Sequence, residues 1–127
     1  MIQLQPMHRA SCHCGAVVLE LQLPQGLVEP RRCNCSFCRR RGTLVASVPL
    51  SALRVIEGQE WLQCYTFNTE TARHYFCSRC GIHTHHQRRS HPDQYAYNVA
   101  CLEGVDPFAL EPVPVYDGIH HPRDQAS

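Results

Sequence analysis

The chain has 127 residues, of which 43% are hydrophobic and 18% are charged, as is ordinary for a globular protein with a sizeable core. Its formal net charge of +1 argues against a polyanion-binding or extended nucleic-acid-binding surface, although clustered arginines leave room for a local anion site. The amino terminus has no apolar core of signal-peptide length, and no run of about 18 apolar residues occurs. We therefore expect one cytoplasmic domain with no membrane span.

Short alternating or apolar segments follow one another along the chain and end at glycine, proline or other turn residues. Residues 1–10 are expected to be a loose leader, residues 11–106 the domain proper, and the proline-rich residues 107–127 an irregular wrap. Strands are predicted at residues 15–24, 42–50, 51–58, 61–67, 72–77, 82–89 and 94–102. The segments 61–67 and 72–77 form a predicted hairpin. No stretch has helical periodicity beyond about three turns, so the predicted fold is mainly β, built of short antiparallel strands.

Seven of the nine cysteines fall into three clusters. Because the cytosol keeps thiols reduced, so many cysteines favour metal binding over disulfides. Residues i and i+2 of an extended segment share a face, and a Cys-x-x-Cys pair wraps a tight turn, so both spacings can present two thiolates to one ion. The clusters are Cys12-x-Cys14, Cys33-x-Cys35-x-x-Cys38 and Cys77-x-x-Cys80.

One partition of these thiols gives a closed metal site and an open one. Four thiolates are typical of a structural zinc, whereas three leave a position for water or substrate, as in a catalytic zinc. Other pairings also give four thiolates, and His74 or His83 could complete the smaller site, so spacing alone leaves the partition open. We name the two groups the four-cysteine cluster (Cys12, Cys14, Cys77 and Cys80) and the three-cysteine cluster (Cys33, Cys35 and Cys38).

The order CHCG, CNCSFC and FCSRCG resembles the family of glutathione-dependent formaldehyde-activating enzymes, which also includes centromere protein V. The resemblance runs from about Cys12 to about Asp106. It implies a single-domain β-tent (Mss4-like) fold and two zinc ions per chain, with a structural zinc in the four-cysteine cluster and the second zinc in the three-cysteine cluster. It also implies condensation of formaldehyde with glutathione to S-hydroxymethylglutathione, the activity of a carbon–sulfur lyase.

Five arginines flank the three-cysteine cluster. Guanidinium groups match carboxylates, so Arg39, Arg40 and Arg41 are predicted to bind the carboxylates of a small thiol such as glutathione. The alternative is that the arginines offset the negative charge of metal-bound thiolates. The five are Arg31, Arg32, Arg39, Arg40 and Arg41.

The run His83, His85 and His86 raises the question of a third metal site or a proton shuttle. On a strand, His83 and His85 would share a face, but such a run is more often a polar strand or the rim of a pocket. His74 is expected to lie nearest to the second zinc. No Ser–His–acid hydrolase pattern, phosphate-binding glycine loop or dinucleotide fingerprint is present.

Three tyrosines and the two remaining cysteines have simpler explanations. Tyr75, Tyr95 and Tyr97 could line a pocket, but alternating tyrosines in a strand are mostly packing residues. Cys64 and Cys101 lie in apolar strands and are expected to be buried small hydrophobes.

Together these features predict a zinc-dependent carbon–sulfur lyase or synthase that acts on the adduct of a small thiol and an aldehyde. A substrate thiol would take the open position and lose its proton there, because a metal-coordinated thiol is deprotonated. One alternative is a non-catalytic two-zinc module that binds an anionic partner. Another is a redox protein that uses the three-cysteine cluster as a thiol switch.

Overall fold

The computed structural model of the chain describes residues 4–67 and 72–118. The described residues form short strands, one α-helix and several 3₁₀ turns, which confirms the predicted mainly β fold. The strands are β1 (Met7–Ser11), β2 (Val18–Gln22), β3 (Arg32–Cys33), β4 (Val45–Pro49), β5 (Leu53–Glu57), β6 (Leu62–Tyr65), β7 (Arg73–Cys77), β8 (His83–Gln87), β9 (Gln94–Asn98) and β10 (Val115–Tyr116). The helix is α1 (Ser36–Arg41), and the 3₁₀ turns are Leu50–Ala52, Gln59–Trp61, Val99–Cys101 and Pro107–Leu110.

The strands form two larger sheets and one small one. The first has the strand order β1-β2-β5, the second has the order β4-β9-β8-β7-β6, and β10 pairs with β3. All pairings in the two larger sheets are antiparallel, whereas β10 runs parallel to β3. The predicted hairpin is confirmed, because β6 pairs with β7. The layout is consistent with the β-tent (Mss4-like) fold.

A single apolar core joins the two larger sheets. On β2, Leu19 and Leu21 alternate with polar residues and are 1% and 0% exposed. They belong to the same buried cluster as Ala46 of β4 and Tyr97 of β9. Full burial of a leucine side chain contributes roughly 1.5–3 kcal/mol to the free energy of unfolding. Burial of Leu19 and Leu21 in this shared cluster therefore helps to hold the two sheets together. Among the described residues, no helix is long and apolar enough to cross a membrane.

The expectation of a loose leader is wrong for residues 7–10, which form most of β1. This strand pairs with β2 along its whole length, and its alternating residues His8 and Ala10 are buried. The alternation of apolar and polar residues that predicts a strand is interrupted here, because a histidine occupies an inward-facing position. In the structure its imidazole is satisfied, because His8 Nε2 lies 2.8 Å from the carbonyl oxygen of Glu103. Leader residues 1–3 and wrap residues 119–127 lie outside the described part of the chain.

Two other predicted elements end differently. The strand predicted at 94–102 stops at Asn98, whose side chain accepts a hydrogen bond from the amide of Ala100 and begins a 3₁₀ turn. The described part of the wrap is not wholly irregular, since it contains a 3₁₀ turn and the short strand β10. That strand brings the chain back to β3 and thereby to the three-cysteine cluster.

Candidate metal centres and the adjoining cavity

The four-cysteine cluster is built by two tight turns, one between β1 and β2 and one between β7 and β8. A glycine with positive φ closes each turn, Gly15 at 79° and Gly81 at 80°. The amide of Gly15 donates to the carbonyl of Cys12 at 3.2 Å, and that of Gly81 donates to the carbonyl of Cys77 at 2.7 Å. The expectation of a Cys-x-Cys pair on a strand is therefore wrong: a turn, rather than strand alternation, presents its two sulfurs.

The sulfurs of this cluster stand at separations that suit a tetrahedral ion. Cys14 Sγ lies 3.6 Å from Cys12 Sγ and 3.8 Å from Cys77 Sγ. Zinc–sulfur bonds of about 2.3 Å place the sulfurs of a regular tetrahedron about 3.8 Å apart. Cys12 is 3% exposed and Cys77 is 0% exposed, and the amide of Val17 donates to Cys12 Sγ at 3.3 Å. The donor set and its spacing thus fit a closed structural zinc site.

The three-cysteine cluster lies where β3 ends and α1 begins. Cys33 is the last residue of β3, Cys35 is the N-cap residue of α1, and Cys38 lies in the first turn of the helix. The amide of Cys38 donates to Cys35 Sγ at 3.3 Å. The three sulfurs lie within 4.8 Å of one another, so they too could hold one metal ion.

The helix α1 was not predicted, although it is what folds three cysteines of one short segment around a single point. It has only six residues and a cysteine at its N-cap, where Ser, Thr, Asp or Asn would have signalled a helix start. Two signals of its end were present in the sequence. Gly42 follows it with a φ of 69°, and the last turn carries basic residues, which the helix dipole favours.

The three thiols of the cluster interact with one another, and one arginine lies beside them. Hydrogen bonds from Cys33 and Cys38 lower the pKa of Cys35, whereas hydrogen bonds with Cys33 and Cys35 raise the pKa of Cys38. Arg41 Nη2 donates to Cys38 Sγ at 3.4 Å, and its guanidinium lies 4.7 Å from the centre of the Phe37 ring. For Arg41, therefore, the structure favours the charge-compensation account of the arginines.

A cavity of about 410 Å³ opens beside the three-cysteine cluster. Its volume lies in the range of small-molecule sites, about 300–1,000 Å³. Two of the three clustered thiols and the chain segment after β10 form part of its wall. We call it the thiol cavity, and it is lined by Arg31, Cys33, Cys35, Val45, Phe67, Ala72, His74, His86, Arg88, Arg89, Ser90, His91, Tyr116, Asp117 and Gly118.

The segment after β10 passes very close to the cysteines. The amide of Gly118 donates to Asn34 Oδ1 at 2.8 Å. A Cβ atom at Gly118 would stand 2.6 Å from Cys33 Sγ and 2.7 Å from Cys35 Cβ. Glycine suits this approach, because a side chain here would push against Cys33 and Cys35 of the three-cysteine cluster.

Among the described residues that line the thiol cavity, none is an arginine that was predicted to bind substrate. Arg39 and Arg40 are exposed on α1, and Arg40 Nη1 donates to the carbonyl of Ser36 at 2.7 Å. Arg40 and Arg41 instead line a second cavity of about 420 Å³, together with aromatic side chains such as Phe37. A role of Arg39, Arg40 and Arg41 in substrate binding stays a prediction.

Other arginines stand in the wall of the thiol cavity. Arg31 is 4% exposed and Arg88 is 7% exposed, and both donate to Ser47 Oγ, at 2.8 Å and 3.3 Å. Arg32, by contrast, forms an ion pair with Glu111. The sequence around Arg88 carries no signal of this position, because the residue lies far along the chain from the cysteine loop. Only the β4-β9-β8 pairing brings it to Ser47.

A β-bulge gathers histidines next to the same cavity. The register between β7 and β8 pairs Tyr75 with His85 but Phe76 with His83, which leaves one extra residue on β8. His83 and His86 consequently come to the same face, with His86 Nδ1 3.3 Å from His83 Nε2. The expectation that His83 and His85 share a face is wrong for this reason, and the run is buried rather than a polar rim.

His74 of β7 completes a group of three histidines whose ring nitrogens lie within 4.8 Å of those of His83 and His86. Burial, reinforced by the charge of Arg41, lowers the pKa of His74 to about 4. Arg41 Nη1 lies 3.2 Å from His74 Nδ1, and an arginine can only donate, so the proton of the neutral ring is on Nε2. The same cation disfavours a third metal ion between these rings.

The other candidates have structural roles. Tyr97 is 0% exposed in the core and Cys101 is 9% exposed, as expected of packing residues. Cys64, which was expected to be buried, is exposed. Its strand β6 is the edge strand of the five-stranded sheet, and three of its four residues are exposed. All nine cysteines lie in the described part of the chain, and all are free.

Two comparisons with known proteins bear on this site. The family model described as glutathione-dependent formaldehyde-activating enzyme matches residues 7–115, from the first residue of β1 to the first residue of β10. The match includes all the clustered cysteines. The chain is also similar to a Rhodobacter sphaeroides protein whose crystal structure was solved as a Northeast Structural Genomics target. The two are 56% identical with a TM-score of 0.82, over 85% of this chain and 99% of that chain.

Proposed function

Because the chain belongs to the family of glutathione-dependent formaldehyde-activating enzymes, we propose that it is a zinc-dependent carbon–sulfur lyase or synthase. Its substrate would be the adduct of a small thiol such as glutathione with an aldehyde. The observation that carries this proposal is the setting of the two cysteine clusters. Cys33 and Cys35 face the thiol cavity, whereas no residue of the four-cysteine cluster lines that cavity as it is described.

The reaction needs a deprotonated thiol and a place for a proton. In the synthetic direction the thiol sulfur attacks the carbonyl carbon, and a C–S bond forms. The electron pair of the C=O π bond moves to oxygen, which takes up the proton that the thiol has lost. A zinc ion held by the three-cysteine cluster would favour the thiolate form of a thiol that reaches it. The lyase direction breaks the same C–S bond.

The residues of the chain would bind and orient the two reactants. The neutral imidazole of His74 lines the cavity and carries its proton on Nε2, so it offers a hydrogen-bond donor to the aldehyde oxygen. Arg41 holds that tautomer by donating to Nδ1, and it also contacts Cys38. The segment at Gly118 passes directly beside Cys33 and Cys35 and so forms one side of the entrance that a thiol would use.

The remaining parts of the proposal concern metal content and cellular setting. We infer two zinc ions per chain, one in each cysteine cluster, because both donor sets fit zinc. The free state of all nine cysteines, each within the described residues, supports a reducing and therefore cytoplasmic location. No membrane partner is proposed.

Exchange spectroscopy by NMR tests the function directly. Glutathione, formaldehyde and S-hydroxymethylglutathione have separate resonances, and magnetisation exchange between them reports the rate of their interconversion. The zinc-loaded protein should raise this rate in proportion to its concentration. Cys35→Ala, which removes one ligand of the three-cysteine cluster, should abolish the increase while the protein remains folded.

The rival account, a non-catalytic two-zinc module, predicts a different result. Protein that carries two zinc ions per chain but leaves the exchange rate at its buffer value, with formaldehyde and with larger aldehydes alike, would establish that account. The carbon–sulfur lyase proposal would then be abandoned.

A further inference from the structure

Two buried arginines in the wall of the thiol cavity donate hydrogen bonds to the same hydroxyl group, that of Ser47. Arg31 Nη1 and Arg88 Nη1 both donate to Ser47 Oγ, so their guanidinium groups are close neighbours. Two like charges taken out of water are unfavourable unless a counter-charge accompanies them.

Arg31 forms no ion pair with a described residue, although Glu29 and Cys33 act on its charge from a greater distance. Its other hydrogen bond runs from Nη1 to the carbonyl oxygen of Glu29 at 2.8 Å. The carboxylate of Glu29 instead accepts from the hydroxyl of Tyr116 at 3.2 Å. The Tyr116 ring lies 5.3 Å from the Arg31 guanidinium and thus helps to fix its position.

Arg88 likewise forms hydrogen bonds but no ion pair with described residues. It donates from Nη1 to Gln94 Oε1 at 2.7 Å and from Nη2 to Ser90 Oγ at 3.4 Å, and both acceptors are neutral. Among the described residues, no ion pair includes Arg31 or Arg88. Among the described residues, no sulfur of the three-cysteine cluster is hydrogen-bonded to Arg31 or Arg88; the guanidinium that donates to Cys38 Sγ is that of Arg41.

Arg31 also has donors to spare. All its hydrogen bonds to described residues run from Nη1, which leaves Nε and Nη2. These two N–H groups form the edge of a guanidinium that holds a carboxylate by two parallel bonds. Arg31 lines the cavity that Cys33 also lines, so one small molecule can reach both groups.

We propose that the guanidinium groups of Arg31 and Arg88, which Ser47 holds together, form a carboxylate subsite of the thiol cavity. The subsite binds one carboxylate of the thiol substrate while the sulfur lies at the three-cysteine cluster. This inference rests on the proposed function and deepens it, because it restricts the substrate to thiols that carry a carboxylate. Arg88, which follows β8, is thereby a specificity residue that lies outside the cysteine loop.

Calorimetric titration of the zinc-loaded protein with three ligands tests the subsite and the function separately. Glutathione has both the thiol and the carboxylates, glutathione diethyl ester keeps the thiol without the carboxylates, and S-methylglutathione keeps the carboxylates without the thiol. We expect the diester to bind at least about tenfold more weakly than glutathione, as the loss of a charge-assisted hydrogen bond predicts.

Variants assign the effect to the subsite. Arg88→Gln should weaken glutathione binding about tenfold or more and should leave diester binding unchanged, because the ester does not engage the guanidinium. Arg88→Lys keeps the charge without the planar fork and should give an intermediate affinity. Arg54→Gln is the matched control, since Arg54 is an exposed arginine that pairs with Glu20 on another sheet.

A thermal melt without ligand separates binding from a structural role. Loss of one of two adjacent buried cations should leave the melting temperature of Arg88→Gln equal to or above that of the wild type. A lower melting temperature with unchanged glutathione affinity would overturn the subsite. If the variant does not fold, the wild-type titrations still decide.

The outcomes distinguish the two proposals. Equal affinities for glutathione and its diester would overturn the subsite and leave the proposed function standing. S-methylglutathione that binds as tightly as glutathione, with an affinity that Arg88→Gln abolishes, would support the subsite and contradict thiol binding at the cysteines. Absence of binding by all three ligands would overturn both.

Discussion

The four-cysteine and three-cysteine clusters use the same chemistry in opposite settings. The first joins two turns from different sheets, and two of its sulfurs belong to nearly unexposed residues, Cys12 and Cys77. The second comes from one strand end and one short helix, its residues are half-buried, and Cys33 and Cys35 face a cavity. The number of thiols decides whether a bound ion keeps a free coordination position. The turns, strand and helix that hold the cysteines decide whether a small molecule can reach that position.

The difference extends to the charges around each cluster. The guanidinium groups of Arg31 and Arg88 line the cavity beside the three-cysteine cluster, and the guanidinium of Arg41 contacts Cys38. Closing turns and backbone amides surround the four-cysteine cluster instead, as with the amide of Val17 on Cys12. We infer that one cluster connects the sheets and that the other binds ligand. The following predictions test this separation.

The largest difference should appear when one thiol is removed from each cluster. Cys77→Ala should prevent stable folding, because apparent binding energies of structural zinc are of order 10 kcal/mol in small zinc peptides and this site ties two sheets together. Cys35→Ala should remain folded and lose only one metal ion. Circular dichroism and metal analysis of the two variants measure the effect.

Cys64→Ala is the control, since this exposed thiol lies outside both clusters. It should retain both metal ions and the wild-type stability. If Cys77→Ala and Cys35→Ala lost the same amount of stability, the clusters would not have distinct roles.

Acid should weaken the fold through its buried histidines. Burial lowers the pKa of His85 to about 4, whereas an unfolded histidine titrates near 6.5. Between these values the unfolded state binds more protons, so the free energy of unfolding should fall as the pH falls from about 6.5 to about 4. Each such histidine contributes a slope of up to about 1.4 kcal/mol per pH unit.

His85→Gln isolates this effect, because the side chain stacks on Tyr75 and lies outside both cysteine clusters. Denaturant titrations at several pH values should give a shallower slope for the variant than for the wild type. Metal content measured at each pH separates histidine protonation from acid loss of zinc. An identical slope for the two proteins would refute a neutral buried His85.

The smallest predicted effect concerns the segment that covers the three-cysteine cluster. Gly118→Ala places a Cβ against Cys33 and Cys35, so metal affinity at that cluster should fall about tenfold, as with other disturbances next to metal ligands. Gly15→Ala is the counterpart at the four-cysteine cluster. Its new Cβ meets no atom within 4 Å, but its φ of 79° strains the turn, so it should lower stability instead.

Competition with a chelating dye measures the affinity of each ion in both variants. A loss of affinity confined to the three-cysteine cluster in Gly118→Ala would sharpen the comparison between the clusters. Unchanged affinity there would show that the covering segment yields without disturbing the sulfurs.

The strands, and the ability of the clustered cysteines to bind one ion together, could be predicted from the sequence, because hydrophobic alternation and cysteine spacing are local properties. β2 could be identified from Leu19 and Leu21 in this way. The helix α1 could not, since six residues are too few for periodicity and its N-cap residue is Cys35. His83 and His86 share a face because of a β-bulge between β7 and β8. The sequence of β8 alone does not show this bulge, because it depends on the register with β7.

The walls of the thiol cavity were even less accessible to prediction. Arg31 was among the flanking arginines, but nothing local distinguished it from Arg39, which the structure leaves exposed. Arg88 joins Arg31 only through strand pairing across β4, β9 and β8. Residues that are distant in sequence and come together only through strand pairing leave no local pattern in the sequence.

The visible spectrum of the cobalt-substituted protein tests the central claim most directly, because it reports the ligands of each site. With one ion in each cluster, addition of glutathione should change the absorption of one ion and leave the other unaltered. The response should disappear in Cys35→Ala, while the spectrum of the four-sulfur site remains. A spectrum that glutathione leaves untouched at millimolar concentration, or a response that persists in Cys35→Ala, would contradict the account.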